Sequence, residues 1–357
     1  MPLNPSGAIS LAGPVAGQSI AVELGLSATA TISLNDTDVR TLAGVTSGVI
    51  VMPTDFWGKS IITGTQRAMF GNTTPSLRNF TNLVSNTGVV ASDVAGVGTA
   101  KLSYAGATYG GDKGIFGYGS IPSPVRRQNT TNLISNTGVL GATITGVGST
   151  RRQLAAAGYG GDKALFGYGE TSASQITAIT NLVSNTGVVS SDTPGVGTAR
   201  RELAAAGYGG DKAIFGFGTN VNSITTFSMT NLVSNTGVVS ADTPGVGTAR
   251  NTLAAAGYGG DKAIFGFGLT ATGTFTAITN LVSNTGVVAA DTPGVGTARH
   301  ALAAASYGGN KAIFGFGSGA PFTNITNLVS NTGVVSSDTP GVGTAREGLS
   351  AAGYSLT

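Results

Sequence analysis

Residues 200–218 read RRELAAAGYGGDKAIFGFG, and this order of short apolar runs and glycine turns recurs at a near-constant interval down the chain. A variable stretch follows it, then TNLVSNTGVV from Thr230 and the connector DTPGVGTAR from Asp242. The TNLVSNTGVV string or a near copy starts at Thr81, Thr131, Thr180, Thr230, Thr279 and Thr326, at spacings of 50, 49, 50, 49 and 47 residues. Relatives of KAIFGFG start at Arg67, Lys113, Lys163, Lys212, Lys262 and Lys311, the first a worn RAMFGN. The string that opens with a cation and leads into LAAAGY starts at Lys101, Arg151, Arg200, Arg250, Arg299 and Arg346. Each string therefore occurs six times, and the repeats organise everything after residue 60.

One period reads as four short antiparallel strands, because Gly, Asn and Asp turns separate apolar runs too short for helices. Four short strands in 47–50 residues is the size of one propeller blade. A linear β-solenoid is the alternative, and it predicts no relation between the two ends of the array. Here the array opens at Arg67 without an LAAAGY strand and closes with REGLSAAGYSLT, without a KAIFGFG strand. The two fragments make one whole blade, so a C-terminal strand paired to the N-terminal ones is expected to close a ring of six and remove both sheet edges. Small residues in LAAAG suit the innermost strand, where blades converge.

Composition agrees with a turn-rich globular chain. The 357 residues include 57 glycines and 12 prolines, with 41% hydrophobic and only 10% charged residues. There is no cysteine and a single histidine, which excludes a disulfide scaffold, a thiolate nucleophile and a multi-histidine metal site. A net charge of +3 without any Lys/Arg run gives no footprint for nucleic acid. No apolar span reaches 18 residues, and residues 1–20 carry no positive charge, so neither membrane insertion nor a secretory signal is expected.

R-x-x-L-A-A-A-G-Y-G-G-D-K-A-I-F-G-F-G resembles the kelch repeat, in which an arginine begins a strand and a second strand ends in a glycine pair. Gly216, Phe217 and Gly218 take the place of that pair. The tryptophan of the kelch last strand is absent, with Val188 or Val189 in its place. The resemblance covers about residues 67–357 and implies an all-β fold, a six-bladed kelch-like propeller. It implies no single function, since such propellers serve as enzymes, adaptors and structural modules. Residues 1–60 lack the repeats and alternate in β-prone stretches broken by Gly, Pro and Asn-Asp, so a small β-rich module is expected there. Their wording, from MPLNPSGAISLAGPVAGQSIAVELG to DFWGKS, resembles the leading segment of structural proteins of tailed bacteriophages. That likeness implies an attachment module at 1–60 and a propeller at 61–357 displayed on the virion.

The candidate chemistry is sparse. Asp112, Asp162, Asp211 and Asp261 recur in the GGDK turn, and Asp192, Asp242, Asp291 and Asp338 precede Thr-Pro-Gly. Copies in like environments do not make an acid/base pair, so turn-forming aspartates that bond their own backbone are expected. Lys101, Arg151, Arg200, Arg250, Arg299 and Arg346 form one sixfold set, a structural ring, and the GGDK cations form another. Such rings can hold an anion; alternatively each arginine bonds carbonyls of the neighbouring blade and each lysine ends a turn in solvent. His300 is isolated and reads as a surface residue. GYGGDK lacks the spacing and following helix of a phosphate loop. Phe and Tyr of FGFG recur inside strands and read as core rather than base-stacking platforms.

By strand parity the loops after FGFG share one face with the connectors, and these loops share no sequence. Their binding candidates are Arg126, Arg127, Gln128, Asn220, Phe227, Phe275 and Phe322, suited to polar recognition of a glycan or protein. Trp57 and Phe56 are the attachment candidates, with junction packing as the plainer reading for Trp57. The function expected is that of a non-enzymatic virion component of a phage (tail fibre, baseplate or head decoration), made in the host cytoplasm. It would bind other virion proteins through residues 1–60, in multiple copies, and contact a host cell-surface glycan or protein, with no cofactor. A carbohydrate-active enzyme is the alternative and requires unlike polar residues clustered at one end of the channel, of which the sequence gives no sign. A cellular lectin or adaptor is the third reading.

Overall fold

The computed structural model describes residues 66–71, 79–122, 125–171, 175–220 and 225–355, together with Ile20, Ser33, Leu34, Val39 and Ala43. The chain divides into two compact units, Met1–Thr63 and Gly64–Thr357. In the first, Ile20, Val39 and Ala43 are buried and helical, and no strand occurs among its described positions. The rest of the β-rich reading of residues 1–60, with Phe56 and Trp57, lies outside the described residues.

From Gln66 to Ser355 the described elements are all β-strands, in six small antiparallel sheets and three two-stranded ribbons. In the copy quoted first, Ala204–Tyr208 pairs with Lys212–Gly216, which pairs with Thr230–Val233. Tyr208 stands opposite Lys212, leaving Gly209, Gly210 and Asp211 as the turn. Gly209 and Gly210 have φ of 63° and 80°, a region that glycine enters without steric cost. A complete four-stranded sheet occurs once, as Ala351–Ser355, Gln66–Phe70, Phe80–Val84 and Val94–Ala95. Elsewhere the expected fourth strand shrinks to isolated bridges such as Val233↔Val239 and Thr230↔Thr243. Pro244 has no N–H for a ladder and the flanking glycines have no side chain to pack, so the connector docks point by point.

The fragments at the two ends of the array combine. Ala351–Ser355 pairs with Gln66–Phe70 over five residues, with Met69 opposite Ala352. Adjacent sheets pack through their first strands, from Ala105–Tyr109 through Ala155–Tyr159, Ala204–Tyr208 and Ala254–Tyr258 to Ala303–Tyr307. Ala351–Ser355 packs against both Ala303–Tyr307 and Ala105–Tyr109. Two cycles of backbone hydrogen bonds run through the repeats. In one, Gln153, Glu202, Thr252, Ala301, Gly348 and Ser103 each donate an N–H to the carbonyl of the residue named before it, with Gln153 bonding Ser103 again, at 2.8–3.2 Å. In the other, Gly110, Gly160, Gly209, Gly259, Gly308 and Ser355 donate to the carbonyls of Asp162, Asp211, Asp261, Asn310, Gln66 and Asp112, at 2.6–2.9 Å.

Between sheets the packing is aromatic. Phe215 is fully buried and its ring meets that of Tyr168, from the preceding repeat, at 5.0 Å between centroids. Equivalent pairs include Tyr118 with Phe166 and Phe70 with Phe316. Each such phenylalanine contributes about 1.5–3 kcal/mol by leaving water.

The cation that opens each repeat is a buried post. Arg200 has no exposed surface; its Nε donates to Phe217 O at 2.8 Å, Nη1 to Thr198 O at 3.0 Å and Nη2 to Asn231 Oδ1 at 2.6 Å. Its guanidinium lies 4.5 Å above the Tyr168 ring. This corrects the expected pattern: Phe217 and Asn231 belong to the same repeat as Arg200, and the neighbour supplies the aromatic face. Arg250 and Arg299 repeat the arrangement. Arg151 and Arg346 keep the asparagine bond and the ring beneath.

The connector aspartates also depart from expectation, because they bond the connector one repeat back. Asp242 accepts from the Thr198 hydroxyl at 2.6 Å, the Thr198 amide at 3.0 Å and the Asn231 amide at 2.9 Å. A Cβ at Gly197 would lie 2.4 Å from Asp242 Oδ1, so the second glycine of GVG makes room for this clasp. Asp93 holds Thr344 in the same way, joining the first repeat to the last. Burial opposes ionisation at Asp93, Asp192, Asp242, Asp291 and Asp338, but the hydroxyl, amide and arginine partners outweigh it and hold each carboxyl below its ordinary 3.8. A depressed folded value stabilises the fold above 3.8 and the benefit is lost as pH falls below it. Thermal midpoints measured by calorimetry are therefore expected to fall steeply below about pH 4, and less steeply in Asp242→Asn.

The second repeat is an exception in both places at once. Lys101 stands for the arginine and Thr143 for the aspartate. Lys101 is buried, bonds Thr130 O at 3.0 Å, and burial pulls its pKa down to about 8. A cation that has lost its carboxylate is here one that can shed its proton.

Candidate functional site

Two positions after the first cation of each repeat vary, while their flanks are Arg and Leu in every copy but the first, which has Lys101 and Tyr104: Leu102-Ser103, Arg152-Gln153, Arg201-Glu202, Asn251-Thr252, His300-Ala301 and Glu347-Gly348. The second residue of each pair belongs to the first hydrogen-bond cycle, so the cycle carries five unlike side chains and one glycine. Ser103, Gln153, Glu202, Thr252 and Ala301 hold φ between 49° and 56°, a left-handed backbone that costs a non-glycine residue about 1 kcal/mol or more. The variable loops add Arg127, Glu170 and Phe275 to this set.

Glu170 is the centre. It is 1% exposed and meets the guanidinium groups of Arg127, Arg201 and Arg152, the last at 3.2 Å. Burial raises the pKa of Glu170, and the three arginines more than reverse this, leaving it lowered. Arg201 also reaches Glu202, at 3.9 Å, and Gln153 Nε2 donates to Glu202 Oε1 at 2.5 Å. Glu202 moves the opposite way: burial and the charge of Glu170 raise its pKa against the pull of Arg201, Arg152 and His300. Two carboxylates on either side of one guanidinium are thus driven apart in acidity. Gln153 Oε1 and Arg152 Nε are buried without a hydrogen-bond partner among the described residues, one acceptor and one donor.

Farther around the cycle, His300 stacks on Phe275 with ring centroids 4.8 Å apart and planes 9° apart. Its Nε2 lies 3.8 Å from Glu347 and its Nδ1 3.0 Å from Ser318 O. His300 is therefore held on both ring nitrogens and one face, more engaged than an isolated surface residue.

Of the loop candidates, Arg127 and Phe275 join the cluster. Arg126 is exposed, with its carbonyl taking a bond from Gln128 Nε2 at 3.3 Å. Asn220 accepts the Thr225 amide at 3.3 Å, Phe227 is half-buried, and Phe322 is 37% exposed; none is bonded to the cluster. The structural ring of Lys101, Arg151, Arg200, Arg250, Arg299 and Arg346 is buried, and its arginines are packed on the aromatic rings of the preceding repeat. Unlike polar residues do gather here, contrary to the reading from sequence: Arg127, Arg152, Gln153, Glu170, Arg201 and Glu202 are in mutual contact. Among the described residues no group of three His, Cys, Asp or Glu could hold a metal ion.

No protein-family model matches the chain, and no curated protein matches it.

Proposed function

We propose that residues 64–357 form a closed six-bladed, kelch-like propeller that recognises a polar ligand through the cluster around Glu170. The reading of a ring is supported by the two hydrogen-bond cycles and by the pairing of Ala351–Ser355 with Gln66–Phe70. Recognition rests on one observation: unlike charged side chains replace one another around a cycle whose supporting strands are nearly identical. Gln153 and Arg152 offer the acceptor and donor that a sugar hydroxyl or a peptide amide requires. With the likeness of residues 1–60 to phage structural proteins, the protein is read as a virion component that attaches by that segment and displays the propeller to a host-surface glycan or protein. Many copies per particle would raise weak contacts to useful avidity.

Two measurements test this reading. Particles assembled with a chain lacking residues 1–63 are expected to contain no propeller, and its retention would defeat the attachment role. On a glycan array the full chain is expected to bind a hydroxyl-rich ligand, at least tenfold more weakly as Gln153→Ala; an unchanged profile would remove the cluster from recognition.

The divergent carboxylates favour one second reading, a carbohydrate-active enzyme with Glu202 as acid and Glu170 as the ionised partner. Polysaccharide turnover that disappears in Glu202→Gln would select it, and its absence over a broad substrate set would leave recognition alone.

A further inference from the structure

We propose that the cavity beside the GGDK hairpins, at the other hydrogen-bond cycle, is a binding site for a multivalent oxyanion of the phosphate class. The cavity holds about 250 Å³ and is lined by Arg67, Lys163, Lys212 and Lys262 together with the hydroxyl residues Thr108 and Ser306. No carboxylate lines it. The aspartates sit behind the lysines: Asp162, Asp211 and Asp261 hold their neighbours' ammonium groups at 2.6, 3.1 and 2.8 Å. An ammonium held once keeps two further donors for a ligand.

Charge around this cycle does not balance. Six cations (Arg67, Lys113, Lys163, Lys212, Lys262 and Lys311) stand against four aspartates (Asp112, Asp162, Asp211 and Asp261), a local excess of two positive charges. The two missing carboxylates are Gln66 and Asn310, in repeats that touch, since Gly308 N donates to Gln66 O at 2.9 Å. The excess is therefore concentrated in one sector, where Arg67 lines the cavity with its Nε buried and without a hydrogen-bond partner among the described residues. A doubly or more highly charged tetrahedral anion matches this excess, supplies acceptors to several donors at once, and fits the volume. At the rim, a Cβ at Gly161 or Gly210 would meet nothing within 4 Å, so entry is not obstructed there.

Calorimetric titration of the full chain with pyrophosphate at low salt tests the site. One pyrophosphate per chain is expected, with affinity falling as salt rises. Arg67→Gln should weaken binding about tenfold, and Asn310→Asp, which restores the residue of the other copies and so preserves the hairpin, severalfold. Inorganic phosphate should bind more weakly than pyrophosphate, and a phosphorylated polysaccharide more tightly only if its phosphate is terminal enough to enter. No heat at millimolar pyrophosphate, a stoichiometry near six, or affinity untouched by both substitutions would overturn the proposal. The same titration on Glu170→Gln should be unchanged, because that residue does not line this cavity and is held by arginines beside the other cycle.

Discussion

A chain ending at Gly348 is expected to lose its cooperative unfolding transition at room temperature. Residues 349–355 bring Leu349, Ala351, Ala352 and Tyr354, all at most 6% exposed, and a five-residue ladder to Gln66–Phe70. Their removal uncovers Met69 and Phe70, breaks the hydrogen-bond cycle that runs through Ser355 and leaves Gln66–Phe70 as a sheet edge. Burying a leucine and a tyrosine accounts for roughly 3–6 kcal/mol. Marginal domains have about 5–15 kcal/mol in total. Urea or thermal melts followed by circular dichroism should show a broad, low transition, and a synthetic peptide spanning 346–357 added in trans should restore part of it. A truncated chain with an unchanged midpoint would show that the six sheets do not depend on being joined end to end.

Arg200→Met is expected to cost about 3–5 kcal/mol, because it strands the Asn231 and Phe217 oxygens in a buried site and leaves Asp242 without its cation. Asp242 is itself 30% exposed, so most of the cost comes from the oxygens and the lost ring contact. The molecule contains its own control at Lys101, where the aspartate is already absent and burial has already lowered the ammonium's pKa to about 8. Lys101→Met should be close to neutral at pH 7 by the same chemical denaturation. For wild type, the second repeat should gain stability between pH 8 and 10.5, where the folded lysine is neutral and the unfolded one still charged. Equal losses at the two positions would show that the post matters only as packing.

Strand order, turn positions and the pairing of the chain's two partial repeats were readable because identical strings impose identical local structure, and because RAMFGN and AAGYS are complementary fragments of one unit. The roles of the cations and aspartates were only half readable. Sequence spacing places Arg200 and Asp242 at repeat-specific positions, but which repeat supplies the carbonyl and which the ring depends on how sheets abut. The site around Glu170 was missed for a related reason. Its bonded partners come from different repeats, as Gln153 and Glu202 do at 49 positions apart, and they meet only where the repeats abut. A signal was present: the two residues after each repeat's first cation form a different pair in every copy, while the residues that flank them are Arg and Leu in all copies but that of Lys101 and Tyr104. Reading the variable loops after FGFG for their polar, aromatic and cationic residues instead selected Arg126, Gln128, Asn220, Phe227 and Phe322, which lie outside the contacts described for Glu170.

The hydrogen-bond cycles also impose an integer on the gene. Each repeat offers one donor and one acceptor to each cycle, so in the proposed ring a copy gained or lost by unequal exchange between such similar coding units would have to reopen both circuits. Point changes in the two unlike positions leave that arithmetic alone.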